Sequence, residues 1–194
     1  MEQPLSGLPA PVPDERSGLL AFLAQQRDGL RYAAFGLTVE QATSTPTASS
    51  LTIAGLIKHA AHTERGWIDM MVGRNRPGAL GYDETFVLTP GESLEDLFAV
   101  YGEIATDTEQ AVAAEPDLGR AVPVPKGVPW FPDDVEAWSV RWVLLHLIEE
   151  TARHAGHADI TRESLDGATA FPLMAAAEGR SPSALVIPWS PAHT

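Results

Sequence analysis

The sequence contains no cysteine. That excludes a disulfide framework, a thiolate zinc site, a protein-held iron–sulfur cluster and a cysteine nucleophile. Basic residues are scarce: 13 Lys and Arg stand against 26 Asp and Glu, for a formal net charge of −13. Such a surface repels phosphate backbones and anionic lipids, so neither nucleic acid nor a membrane surface is an expected partner. No stretch approaches ~20 uninterrupted apolar residues, so no membrane span is expected. The opening Met1-Glu-Gln-Pro-Leu-Ser-Gly lacks a basic segment followed by an apolar run. An export signal is therefore not expected, and the cytoplasm is the expected location. Repeats and low-complexity tracts are also missing.

What remains is a chain of 194 residues, 44% of them hydrophobic, enough for one domain with a real core. Four segments carry apolar residues at helical intervals. The first runs from about Asp14 to Phe35, behind a leader whose Pro4, Pro9, Pro11 and Pro13 favour an extended chain. The second runs from about Thr52 to Val72, with Ser49 and Ser50 as expected caps and Gly73 as its stop. The third spans Leu94 to Ala114, opened by Ser93 and Asp96 in a capping-box spacing and closed by Pro116. The fourth, Val140 to Asp166, ends at Gly167. Proline and glycine mark residues 73–92 and 116–133 as long loops, the kind that often carry a binding site. No alternating run is strong enough to predict a sheet. The expected architecture is all-α: a leader (1–13), a four-helix bundle (14–178) and a tail (179–194) whose Leu185-Val-Ile-Pro-Trp189 docks on the body.

Five of the six histidines fall on two of these helices: His59 and His62 on the second, His146, His154 and His157 on the fourth. His146, Glu150 and His154 are four residues apart and share a helical face. Glu150 and His154 form an i,i+4 pair whose side chains lean over one groove, a good start for a metal site. A third donor has to come from another element, and the second helix offers His59 or His62. Three N/N/O ligands with an open position are the pattern of a catalytic metal. Gly156 is expected to let a neighbouring element come close. The same residues also fit a plainer reading, in which Glu149, Glu150, Arg153 and His154 are ion pairs on a wet face, worth ~0.2–0.5 kcal/mol each.

Two stretches carry a resemblance. Leu56-Ile-Lys-His59-Ala-Ala-His-Thr-Glu64-Arg-Gly-Trp67 and Arg141-Trp-Val-Leu-Leu-His146-Leu-Ile-Glu-Glu150-Thr-Ala-Arg-His154-Ala-Gly-His157-Ala-Asp159 are similar to the second- and last-helix motifs of the DinB-like metalloprotein superfamily. The match is closest to the branch of mycothiol-dependent transferases and maleylpyruvate isomerase, and covers about residues 14–166. The resemblance implies a four-helix bundle with a long crossover. It implies a metal triad with His59, not His62, as first ligand, and Glu150 and His154 as the pair. Many superfamily members have histidine where Glu150 stands; the isomerase-type pattern has glutamate.

The implied activity is transfer of a low-molecular-weight, mycothiol-like thiol to a small electrophile on a divalent metal. Zinc is the favoured ion, with nickel, manganese or iron compatible with the same ligands. Isomerisation or hydrolysis on the same site, or a non-catalytic metal-binding stress protein, are the alternatives. His146 is expected to orient Glu150 or, with Glu149, to relay a proton. Trp130, in a proline-flanked loop, is expected at a pocket mouth. Trp130 and His157 are the residues expected to support the bound thiol. Trp67, Trp138 and Trp142 are expected as core or pocket wall, His62 at the periphery and His193 inert in the tail. Family members often pair, so a homodimer is a further expectation.

Overall fold

The computed structural model describes residues 7–191. His193, and the first six residues of the leader with Pro4, lie outside the described residues. Residues 7–13 contain neither helix nor strand. The elements that follow are α1 (Glu15–Ala33), α2 (Val39–Ala42), α3 (Ile53–Val72), α4 (Leu94–Ala114), β1 (Ala121–Pro123), β2 (Ala137–Ser139), α5 (Val140–Asp166) and α6 (Ala170–Ala177). A 3₁₀ turn, Asp83–Phe86, interrupts the connection between α3 and α4.

The helix ends follow local chemistry. Asp14 caps α1 by accepting from the Ser17 N–H, and Ser139 caps α5 by accepting from that of Trp142. Ser93 and Asp96 form the expected capping box on α4. The cap of α3 is Thr52, not Ser49 or Ser50: the Thr52 hydroxyl accepts from the Gly55 N–H, while that of Ser49 accepts from the Leu51 N–H. Gly73 and Gly167 end α3 and α5 in the left-handed region that a side chain would disfavour, at φ of 69° and 75°. Helix α1 stops at Ala33, where the buried Arg162 guanidinium donates to the Ala33 and Phe35 carbonyls, both at 2.8 Å.

Helices α1, α3, α4 and α5 make the bundle, with α3 packed between α4 and α5 and α5 against α1. The core has two apolar clusters. One gathers Leu30 and Ala33 of α1, Ile53–Ile57 of α3, Leu97–Ile104 of α4 and Ala155 and Ala158 of α5. The other gathers Leu23, Ile68, Met71, Val112, Val143, Leu144 and Leu147. Between them every bundle helix places a buried polar residue: Arg27, Glu64, Thr108 and Thr151. Arg27 donates to both Glu64 oxygens, at 3.0 and 2.6 Å, and Thr108 donates to one of them at 2.5 Å. Each hydrogen bond ties two helices at a fixed level of the bundle.

The order in which each helix meets the two clusters fixes its direction. Helices α1 and α5 run one way, α3 and α4 the other. The neighbours α3 and α4 are therefore parallel, and the 73–93 connection must travel back along the bundle. This is the long crossover that the resemblance implies. It passes over α3 so closely that a Cβ on Gly55 would lie 2.2 Å from the Phe86 carbonyl oxygen. Buried Lys58 fastens it further on, donating to the Val87 carbonyl at 2.9 Å and to Glu92 at 2.8 Å.

Two further features differ from the sequence-based expectations. β1 and β2 pair antiparallel, with Val122 opposite Trp138; three residues per strand are too few for alternation to register. Gly156 is exposed with nothing near its missing Cβ, and the close approach falls instead at Gly29, whose Cβ would lie 3.3 Å from that of Ala155. In the tail, Trp189 docks edge-on to Phe35, under Arg162 and against Gly36, while Leu185 and Ile187 face solvent.

Candidate metal centre and its cavity

Helix α3 supplies His59, and α5 supplies Glu150 and His154 one turn apart. Ligand atoms from these three residues all lie within 4.8 Å of one another. Both imidazoles aim Nε2 at one carboxylate oxygen: His154 lies 3.1 Å from Glu150 Oε1, and His59 lies 3.4 Å from it. The hydrogen bond from His154 holds the Glu150 carboxyl far below the ordinary carboxylate range.

His59 is the most constrained of the three, at 3% exposure. Its ring stacks on Phe86 at 3.9 Å, and Tyr82 meets it edge-on. Its Nδ1 lies 2.8 Å from Thr85 Oγ1, while that hydroxyl lies 2.6 Å from the Tyr82 carbonyl. A carbonyl cannot donate, so the Thr85 proton is spent there and Thr85 must accept from His59 Nδ1–H. Neutral His59 therefore carries its lone pair on Nε2, directed at Glu150. That lone pair lies 3.3 Å from the Thr63 hydroxyl, which can donate to it, and is equally free to ligate an ion between it and the carboxylate. The donor set thus fits a divalent ion, and the Thr85 contact is the kind that fixes a ligand's tautomer. Thr85 gave no signal in the sequence, since its crossover position is set only when the turn lies against Gly55.

The triad opens on a cavity of about 1320 Å³ lined by His59 and Glu150. Its wall is aromatic. Trp138 and Trp142 stack at 4.4 Å with 4° between planes, and Trp142 stacks in turn on His146 at 5.3 Å. Trp67 of α3 meets Trp138, Trp142 and His146 at 4.5–5.6 Å. Positions 142, 146, 150 and 154 recur every four residues along one face of α5, from Trp142 to Glu150 and His154, and Trp138 of β2 stacks on the near end of that row. Both tryptophans, expected as core or pocket wall, line the cavity. The loops expected to hold a site contribute Tyr82, Asp83 and Glu84 from the crossover and Pro125, Trp130 and Phe131 from the other. Trp130 is 70% exposed at the edge of this lining.

Other expected residues sit differently. His146 lines the cavity but makes no hydrogen bond to Glu150 among the described residues; its Nδ1 is 3.7 Å from Glu149. Glu149 is 62% exposed and off the cavity wall, because it falls one position round the helix from Glu150. It reaches the site only through His146. His157 is also absent from the wall; its ring lies 5.8 Å from that of His154, and its Nδ1 is buried without a partner. His62, expected at the periphery, lines the cavity, and burial followed by the Arg65 charge lowers its pKa.

Residues 18–167 match the family profile for mycothiol S-transferases. The chain belongs to the mycothiol S-transferase family. The match spans all four bundle helices apart from the first residues of α1, and includes His59, Glu150 and His154. Among solved structures, a conserved protein from Enterococcus faecalis superposes with a TM-score of 0.63 at 12% identity, covering 81% of this chain and 100% of that one. At that identity the likeness shows the all-α fold alone. No curated protein matches the sequence. Membership of the mycothiol S-transferase family implies a thiol and a small molecule as partners, and no helix among the described residues is long and apolar enough to cross a membrane.

Proposed function

We propose that this family member joins mycothiol to an electrophilic small molecule with a divalent metal held by His59, Glu150 and His154. The observation that supports it is the convergence of three N/N/O donors, two of them lining a cavity large enough for two substrates. When bound, the metal supplies Lewis acidity that favours the thiolate form of a coordinating thiol. Zinc is the ion proposed, since it suits imidazole and carboxylate ligands in an open three-ligand site. The chain has no cysteine, so the sulfur has to arrive with the cosubstrate.

His59 is held with its lone pair toward the site by Thr85, and Glu150 is held ionised, so the donors are ready before any ligand arrives. The aromatic wall excludes water from the nucleophile and seats the electrophile. As the S–H bond gives way to an S–C bond, His146 takes the proton, with Glu149 assisting from the solvent side. The leaving group departs with its electron pair. Trp130 covers the mouth over the bound thiol, and His157 supports His154 from behind. A homodimer and a cytoplasmic site of action belong to the same reading; sedimentation velocity checks the first.

The test is conjugation of mycothiol by the zinc-loaded chain, followed by mass spectrometry of the product. The expected result is conjugate well above the uncatalysed background. The double substitution His59→Ala/His154→Ala should lose that activity and retain less than about a tenth of an equivalent of metal. No conjugate with metal occupancy confirmed would overturn the transferase reading. Turnover of the electrophile without thiol would point to isomerisation or hydrolysis on the same residues.

A further inference from the structure

A hydroxyl inside a helix usually returns to the carbonyl four residues back. Thr106, Thr161 and Ser164 do so here, at 2.8–3.0 Å. Thr63 of α3 does not. Its hydroxyl lies 3.3 Å from Nε2 of His59 and makes no other hydrogen bond among the described residues. The proton directions follow from the far end of this row of contacts. Thr85 donates to the Tyr82 carbonyl, His59 Nδ1–H donates to Thr85, and Nε2 is left as an acceptor. Thr63 therefore donates to His59 Nε2, the lone pair that a metal would take. Once that lone pair is given to an ion, the Thr63 O–H is left beside the donor cluster without an acceptor. Its place along the bundle matters equally. Helices α3 and α5 run in opposite directions, so His59 meets Glu150 at one level and Trp67 meets His146, with ring centroids 4.5 Å apart, at another. Thr63 is one turn from both His59 and Trp67 and lines the cavity. It stands where the aromatic wall gives way to the metal donors.

We infer that the Thr63 hydroxyl is the hydrogen-bond donor to the anionic atom that fills the open coordination position, the thiolate sulfur when mycothiol is bound; the transferase reading is needed only for the identity of that atom. A hydrogen bond to an anion is stronger than one to a neutral imidazole, so the change of partner from His59 to the bound anion is favourable. Thr63 keeps its proton throughout. The thiol proton passes to His146, the S–C bond forms, and the hydrogen bond from Thr63 weakens as the sulfur loses its charge.

The experiment compares the native chain with Thr63→Val and Thr63→Ser. Thr63 is half-buried and valine keeps its shape, so the fold should be retained. Each chain is loaded with cobalt(II), whose absorption reports its ligands, and titrated with azide and, separately, with mycothiol. Zinc affinity is measured alongside by competition with a chelator. Thr63→Val is expected to weaken azide binding about tenfold. The sulfur-to-cobalt charge-transfer band of its mycothiol complex should move to lower energy, because the sulfur has lost a hydrogen bond. Its zinc affinity should stay within about twofold of the native value or be tighter, since a competitor for His59 Nε2 has been removed. Thr63→Ser should restore both anion readouts. A hydroxyl that only braces His59 gives a different pattern, in which zinc and azide binding weaken together, and that result overturns the inference. Azide binding and band position unchanged in Thr63→Val overturn it as well. Weaker azide binding in Thr63→Val, with no mycothiol complex formed by the native chain, supports the inference and counts against the transferase reading.

Discussion

Replacing Thr85 by valine tests how the metal centre is prepared. Valine matches threonine in shape, so the packing of the turn on His59 is kept and only the hydroxyl is lost. His59 Nδ1–H, donated over 2.8 Å in the native protein, would then face a methyl group in a buried setting. An unpaired buried donor costs about 1–3 kcal/mol, which is roughly a 5- to 150-fold change in an equilibrium constant. The ring can escape that cost by moving its proton to Nε2, but that blocks the lone pair the metal needs. Either route weakens zinc binding, and the expected loss is about 10- to 100-fold, typical of partners that orient a ligand. Competition for zinc against a chromophoric chelator measures it directly. Thr85→Ser keeps the hydroxyl and should restore most of the affinity. If Thr85→Val binds zinc within about twofold of the native protein while its circular dichroism is unchanged, the tautomer argument is wrong.

Gly55→Ala should push the crossover turn away from α3, because the added Cβ would lie 2.2 Å from the Phe86 carbonyl oxygen. A loss of about 1–3 kcal/mol of stability together with weaker zinc binding is expected, and unchanged values of both would refute the close approach. Glu64→Gln leaves the Arg27 guanidinium, at 7% exposure, with only the more distant Glu109 carboxylate at 3.8 Å as counter-charge. Denaturant unfolding should show a loss of about 3–5 kcal/mol, most of it recovered in Arg27→Met/Glu64→Met. Asp159 is pushed up to about 6 by burial and then by the Glu163 charge. Its protonated form is favoured by folding, so its contribution to stability is fully present below the unfolded value of 3.8 and is lost as pH rises through about 6. Partial exposure discounts the effect, so Asp159→Asn should be more stable than the native protein by about 1 kcal/mol at pH 7.5 and equal to it near pH 3.5. Thermal melts across that range check the sign.

Long periodic features were legible in the chain. The four bundle helices begin and end close to where apolar spacing, caps and glycines placed them, since those signals are local. The i,i+4 relation of Glu150 and His154 is a property of one helix and needed no tertiary information. Spacing alone left His59 and His62 as alternatives, and only the motif resemblance favoured His59. In the fold His59 points at Glu150 under the crossover turn, while His62 lies along the cavity wall. The short elements were not legible: a three-residue strand or a single 3₁₀ turn has no periodicity to detect. Glu149 and His157 show the limit of helical reasoning. Both are one or a few residues from a ligand, and a rotation of about 100° per residue is enough to take a side chain off the cavity wall.

By itself the sequence determined that any sulfur chemistry needs an external thiol, that a firmly held metal has nitrogen and oxygen donors, and that four amphipathic helices must bury a common core. Those conclusions follow from composition and from contacts within a turn or two of chain. Tertiary structure decided what depends on distant segments meeting. It set the parallel pairing of α3 with α4 and hence the crossover, the Thr85 contact that orients His59, and the aromatic column leading to Glu150.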